Sequence, residues 1–433
     1  MEGFERALET RLPSGVRVVT ARRAESASTS VGVWVRVGAV DEGEHERGIS
    51  HFLEHVLFLR GSATRPASAL ARFFDDIGAD AGGGTSQEAT EYRTHCLSAS
   101  FLMALEALAD IVQHPSLDGV ELERARILDE IAAFEDDDET AVDVVFQRVL
   151  YGDHPLGRRT IGDASTVETL DRAALQAWHR RWYAPKSIVV AAAGDVRHDR
   201  FAGRVDDLFT HRADLPDPAD PPEPPPARPP TTAFQTRDMG QFQVLLGGRA
   251  PTERDPEFWP ARLLVEALGG TASARLWSRL GERLGLVYSV GAYHASSVFA
   301  GEAVAHVAMR PGDLDRALGE MRAELDRLAK EPIEAAELAR ARNVSKADLL
   351  LEPRTPGDEQ SRIGRLTAIG LPVPTLEDEI AAIEAVTLDE ARAEAHLLDP
   401  ARLSVAAVGP DEDAFRAALE RHFPEAASAA AGV

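Results

Sequence analysis

Glu121-Leu-Glu-Arg-Ala-Arg126 reappears as Glu337-Leu-Ala-Arg-Ala-Arg342, displaced by 216 residues, and this echo decides how the chain is divided. Two further echoes keep nearly the same displacement. Thr169-Leu-Asp171 recurs as Thr387-Leu-Asp389, 218 residues on, and Ile188-Val-Val-Ala-Ala-Ala-Gly194 recurs as Leu403-Ser-Val-Ala-Ala-Val-Gly409, 215 residues on. Three echoes at one spacing point to two copies of one domain. Between the copies runs Asp214-Leu-Pro-Asp-Pro-Ala-Asp-Pro-Pro-Glu-Pro-Pro-Pro-Ala-Arg-Pro-Pro230. Proline at this density supports neither helix nor sheet and favours a stiff extended connector. The expected division is therefore a first domain over 1–212, a proline-rich linker over 213–231 and a homologous second domain over 232–433. A chain of 433 residues is also longer than a single core usually serves.

Each copy mixes strand and helix signals. Val16-Arg-Val-Val-Thr20 and Ser30-Val-Gly-Val-Trp-Val-Arg-Val37 are rich in branched residues and partly alternate, which reads as β. Ala67 to Ile77, stopped by Gly78, and Phe101-Leu-Met-Ala-Leu-Glu-Ala-Leu-Ala-Asp-Ile-Val112, stopped before Pro115, carry apolar residues at helical spacing. The order predicts the α+β class: two homologous domains, each a mainly antiparallel sheet with helices packed on one face.

His51-Phe52-Leu53-Glu54-His55 is the chemical centre of the first copy. Two imidazoles four apart on a helix share a face and can grip one metal ion, and Glu54, three after His51, projects to the same side. There it could take a proton from an attacking water. The same pattern also suits a solvated helix face. Gly48, Ile49, Phe52, Leu53, Val56, Leu57 and Phe58 argue for burial instead, and a cation would satisfy the buried polar groups together.

A hydrolytic zinc site takes three protein ligands, so a third is expected elsewhere. Glu130 is the candidate, on a helical stretch opened by Pro115, Ser116 and Asp118. Glu123 lies seven residues earlier, almost two turns, and so shares its face. One of the two can bind metal while the other orients a histidine. At comparable displacement the second copy has Trp259-Pro-Ala-Arg-Leu-Leu-Val-Glu-Ala-Leu268, without histidine, and Lys346 in place of Glu130. Only the first copy can hold this metal.

His51 to His55, with Glu130 and Glu123 downstream, resembles the pitrilysin family of zinc peptidases, the inverzincins, which includes insulysin and the mitochondrial processing peptidase. Gly38 with Glu42, Thr85-Ser86, Tyr92, Tyr151-Gly-Asp-His-Pro-Leu-Gly157, Tyr183-Ala-Pro185 and Gly194-Asp195 extend the likeness. The resemblance implies one Zn2+ per chain on His51, His55 and Glu130, with Glu54 as general base and Glu123 orienting a ligand. It further implies repeated α+β domains around a peptide-holding cavity closed by another half-molecule or subunit, and a metalloendopeptidase activity. The rival it also implies is a non-catalytic scaffold subunit of a heteromeric complex, of the processing-peptidase or core type.

Two positions depart from the family pattern. Relatives present an arginine and a tyrosine seven residues apart to the substrate; here Tyr288 holds the tyrosine position while the arginine position is Gly281. Arg279 and Arg283 are neighbours, but two residues along a helix turn a side chain by about 200°. A symmetric homodimer would then lack the cation, so a heterodimer with a paralogous chain is expected, unless Arg283 reaches in from a shifted helix. The second departure is Gly82-Gly83-Gly84 where relatives carry an asparagine-alanine pair on a substrate-binding strand. The glycines suit either a weakened edge strand or a flexible loop.

Lysine plus arginine total 47 against 71 acidic residues, a formal net charge of −24, which argues against a nucleic-acid partner. The acidity either favours basic peptides or merely keeps the chain soluble. The single cysteine, Cys96, excludes an internal disulfide and reads as a small core residue. No run of 18 apolar residues and no basic-then-apolar amino terminus occurs, so a soluble cytoplasmic protein is expected.

Overall fold

A computed structural model describes residues 3–209, 222–351 and 354–428. The described residues within 1–133, 158–222 and 353–375 make one compact unit, and those within 134–157, 223–352 and 376–433 make the other.

The first unit is built on a six-stranded sheet of β1 (Leu8–Arg11), β2 (Arg17–Arg22), β3 (Ser28–Val35), β4 (Asp80–Thr85), β5 (Thr90–Leu97) and β6 (Ile188–Gly194). Their order is β1-β2-β6-β3-β5-β4. β2 and β6 run parallel and every other neighbouring pair is antiparallel. The second unit holds β7 (Thr232–Thr236), β8 (Phe242–Ala250), β9 (Val287–Ser296), β10 (Gly301–Met309) and β11 (Ser404–Gly409), in the order β7-β11-β8-β10-β9. Here too one pair is parallel, β7 with β11, among antiparallel neighbours. Matching β2 to β7, β6 to β11, β3 to β8, β5 to β10 and β4 to β9 superposes the two topologies, which is the repeat read from the sequence.

Alternation along the strands sorts side chains to two buried faces. Val31, Val33 and Val35 of β3, with Ile188, Val190 and Ala192 of β6, enter the main core beneath the helices Phe101–Gln113 and His198–Phe209. Trp34, Val189, Ala191 and Ala193 point the other way, to a smaller core completed by Ile363 and Ala368 of the helix Pro356–Ala368. Burial on both faces explains why residues 188–193 form an unbroken apolar run rather than an alternating one.

That second-face helix refines the expected architecture and corrects the expected boundaries. The Pro356–Ala368 helix packs on β2, β3 and β6 of the first unit, although it lies far into the second copy. Reciprocally, the helix Asp138–Tyr151 packs on β7, β8 and β11 of the second unit. A cut at the linker therefore separates two helices from the sheets they cover. Of the linker itself, residues 213–221 lie outside the described residues; from 222 to 231 the chain forms no regular element. Among the described residues no helix is long and apolar enough to cross a membrane. Cys96 is buried on β5.

Candidate metal centre

The histidines stand on the helix Ile49–Arg60, whose Ile49, Phe52, Leu53, Val56 and Leu57 are buried in the first unit's core. Glu42 holds the start of this helix. Its carboxylate accepts the backbone N–H of Gly48 at 2.7 Å and of Ser50 at 2.9 Å, satisfying donors that a helix start leaves open. Burial pushes the Glu42 carboxyl up to about 8, against the pull of those two hydrogen bonds. The sequence marks Glu42 only as a point of likeness; an acid seven residues before the first helical residue gives no spacing signal for a cap.

His51 and His55 face each other with ring centroids 4.5 Å apart. The helix Val120–Asp136 brings Glu130 to them: His51 Nε2 lies 3.8 Å from its Oε1, and His55 Nε2 lies 3.6 Å from its Oε2. One ligand atom from each residue falls within a cluster no wider than 4.8 Å. These separations are too long for hydrogen bonds. They approach the roughly 3.3–3.4 Å edge of a tetrahedron whose ligands stand ~2.0–2.1 Å from a central zinc. Burial, then the neighbouring His55, lowers the His51 pKa to about 4, which keeps the ring neutral as a ligand must be. The residues fit a divalent cation of the zinc type.

Glu123, fully buried and almost two turns earlier on the same helix, approaches His55 Nδ1 with Oε2 at 3.7 Å. Its other oxygen accepts from Arg60 Nη2 and, at 3.2 Å, from Arg126 Nη1. Arg60 closes the histidine helix itself, so the helix that carries two of the candidate ligands also anchors the carboxylate facing one of them.

Glu54 is buried beside the cluster. Desolvation raises its carboxyl to about 8, with Glu130 and Glu91 adding like charge; a bound dication would act in the opposite direction. β4 passes directly against it: a Cβ on Gly83 would fall 2.1 Å from Glu54 Oε1. The three glycines are thus an ordered edge strand paired to β5, not a loose loop. Beneath lie two fully buried phenols, Tyr92 and Tyr183, whose hydroxyls meet at 2.7 Å and whose pKa values burial drives upward. The sequence named both tyrosines without placing them together.

Tyr288 belongs to the second unit, exposed on β9. Gly281 sits in a wide helical turn, Trp277–Arg283, packed against Trp277. Lys346, at the position matching Glu130, pairs with Glu384, and among the described residues the second copy offers no equivalent cluster.

The family model described as insulinase (peptidase family M16) matches residues 17–164, and that described as peptidase M16 inactive domain matches residues 169–345. An uncharacterized zinc protease of Mycobacterium leprae is 36% identical over 408 residues, covering 93% of this chain and 91% of the relative. One of Streptomyces coelicolor is 31% identical over 419 residues, covering 95% and 91%. Among solved structures, a protease from Helicobacter pylori superposes with a TM-score of 0.86 at 20% identity, covering 94% of this chain and 100% of that one. A peptidase M16 inactive domain from Pseudomonas fluorescens gives 0.85 at 20% identity, covering 94% and 99%. With the sequence likeness running nearly end to end and the fold shared, the chain belongs to the insulinase family, peptidase family M16.

Proposed function

We propose that this chain is a zinc-dependent endopeptidase that hydrolyses peptides or unfolded segments held between subunits. The observation that carries the reading is the placement of the buried Glu54 beside the group of His51, His55 and Glu130, close enough for the charge of Glu130 to act on it. These three would hold one zinc ion, which when bound supplies Lewis-acid polarisation of the scissile carbonyl and an acidified water. Glu54 takes the proton of the attacking water on its carboxylate and passes it to the leaving amine. Glu123 faces His55 Nδ1 from 3.7 Å, placed to orient the ring, and Arg60 and Arg126 hold Glu123. β4, an open sheet edge against Glu54, offers backbone donors and acceptors to an extended peptide.

Replacing Glu54 with Gln tests this. The variant should keep zinc and lose cleavage of a susceptible peptide; unchanged turnover by a pure preparation would sink the assignment. A second reading draws on the match of residues 169–345 to a model described as an inactive domain. In it the chain is a non-catalytic scaffold subunit, and the wild-type protein would carry zinc yet cleave nothing, alone or with a paralogous partner.

A further inference from the structure

We infer that Tyr288 and Arg310 together bind the main chain of an extended peptide at the free edge of the second sheet, with Arg310 supplying the cationic donor that position 281 lacks. The inference rests on the peptidase reading above and names residues within it.

β9 is the edge strand. In its ladder with β10, Val287 stands opposite Met309 and Ser289 opposite Ala308, which leaves Tyr288 as the extra residue of a bulge. A bulge takes a residue out of the alternation and re-aims its side chain, here into solvent, where the ring is 62% exposed. β10 ends at Met309, and the next residue, Arg310, brings its guanidinium to 5.9 Å from the Tyr288 ring centroid, within cation–π reach. Asp313 steadies Arg310 at Nε from 3.4 Å. Guanidinium and phenol set N–H and O–H donors side by side, the complement of carbonyl oxygens. A cavity of about 420 Å³, lined by Asp143, Gln243, Tyr288, Ser289, Tyr293 and His306, opens beside Tyr288 and mixes donors with acceptors, as a peptide backbone and its side chains require.

Of the arginines nearer in sequence, Arg283 is exposed at the end of the turn Trp277–Arg283 and is separated from Arg310 by the test below. Arg279 is paired with Glu320 at 2.8 Å. At Gly281 a Cβ would meet the Trp277 ring at 2.8 Å, so that position is spent on packing. A cation within this chain removes the reason to require a partner chain for it.

The test uses the full chain with zinc bound, carrying Glu54→Gln so that peptide is held and not cut, and a fluorescein-labelled casein fragment read by anisotropy. Arg310→Met should weaken binding about tenfold or more, as loss of a charge-assisted donor does, while Arg310→Lys recovers most of it. Tyr288→Phe should weaken binding in the same direction, and Arg279→Met should leave it unchanged. Melting temperature and zinc content should match across the set, because all three side chains are at the surface. In chains with the native Glu54, kcat/KM for the same peptide should fall with Arg310→Met mainly through KM. Unchanged binding by Arg310→Met, or an equal loss with Arg279→Met or Arg283→Met, overturns the inference. Absence of any cleavage by the wild type would instead strike the peptidase reading, and the anisotropy series would still decide the pair.

Discussion

Glu123→Gln isolates the arrangement beneath the metal ligands. The carboxylate is wholly buried and its two oxygens serve different partners, Arg60 and Arg126 on one side and His55 on the other. An amide has a single acceptor oxygen, so whichever way it turns, an N–H group confronts either Arg60 or His55. Arg126, 54% exposed, is screened by water and adds little. Arg60 is only 17% exposed. Breaking a dry pair costs ~3–5 kcal/mol, and the residual solvent contact of Arg60 brings the expected loss to roughly 2–3 kcal/mol. Separately, a mis-set His55 should weaken zinc binding about 10–100-fold, which is ~1.4–2.8 kcal/mol. Competition with a chromogenic chelator reads the affinity, and denaturant unfolding of the metal-free protein reads the stability. Pairing Glu123→Gln with Arg60→Met should cost less than the two changes summed, since no charge is then left alone. Wild-type zinc affinity in the single variant would refute the positioning role of Glu123.

Tyr151→Phe removes the hydroxyl that donates to the buried Glu302 at 2.7 Å, leaving Gln147 as its donor at 3.1 Å, and should cost about 1–3 kcal/mol in denaturant unfolding. Gly83→Val should displace the Glu54 carboxylate and lower kcat about a hundredfold with zinc retained, whereas Gly82→Ala, whose Cβ meets open space, should not; equal effects would break the link between β4 and the base. Because the Glu42 carboxyl is raised from 4.5 to about 8 by burial, the stability tied to its proton is fully present below about 4.5 and is lost as pH climbs through 8. Glu42→Gln should therefore flatten the melting temperature across that window, and parallel wild-type and variant profiles would contradict the shift.

The histidine helix was legible because metal chemistry dictates spacing on one helix: His51, Glu54 and His55 occupy a single face whatever surrounds them. The two-copy plan was legible because the echoes fall on a shared helix and strand, Val120–Asp136 with Ala335–Leu351 and β6 with β11. Which sheet a helix covers was not. The helices Asp138–Tyr151 and Pro356–Ala368 each carry apolar residues that suit any sheet face, and proximity in sequence favoured the wrong one. Arg310 was equally hidden, since only the antiparallel pairing of β9 with β10 carries it to Tyr288.

The exchanged helices make the chain a covalently tethered swap. Severed at the linker, the 1–212 piece would leave Val19, Trp34 and Val189 without the cover of Ile363 and Ala368, and the 232–433 piece would lose Phe146 and Tyr151 from its own sheet. Each fragment alone would be a sticky, half-clad sheet, while the two mixed together would cure each other. Proteolytic nicking at the linker should for that reason leave a complex that stays folded, each half still lending the other its covering helix.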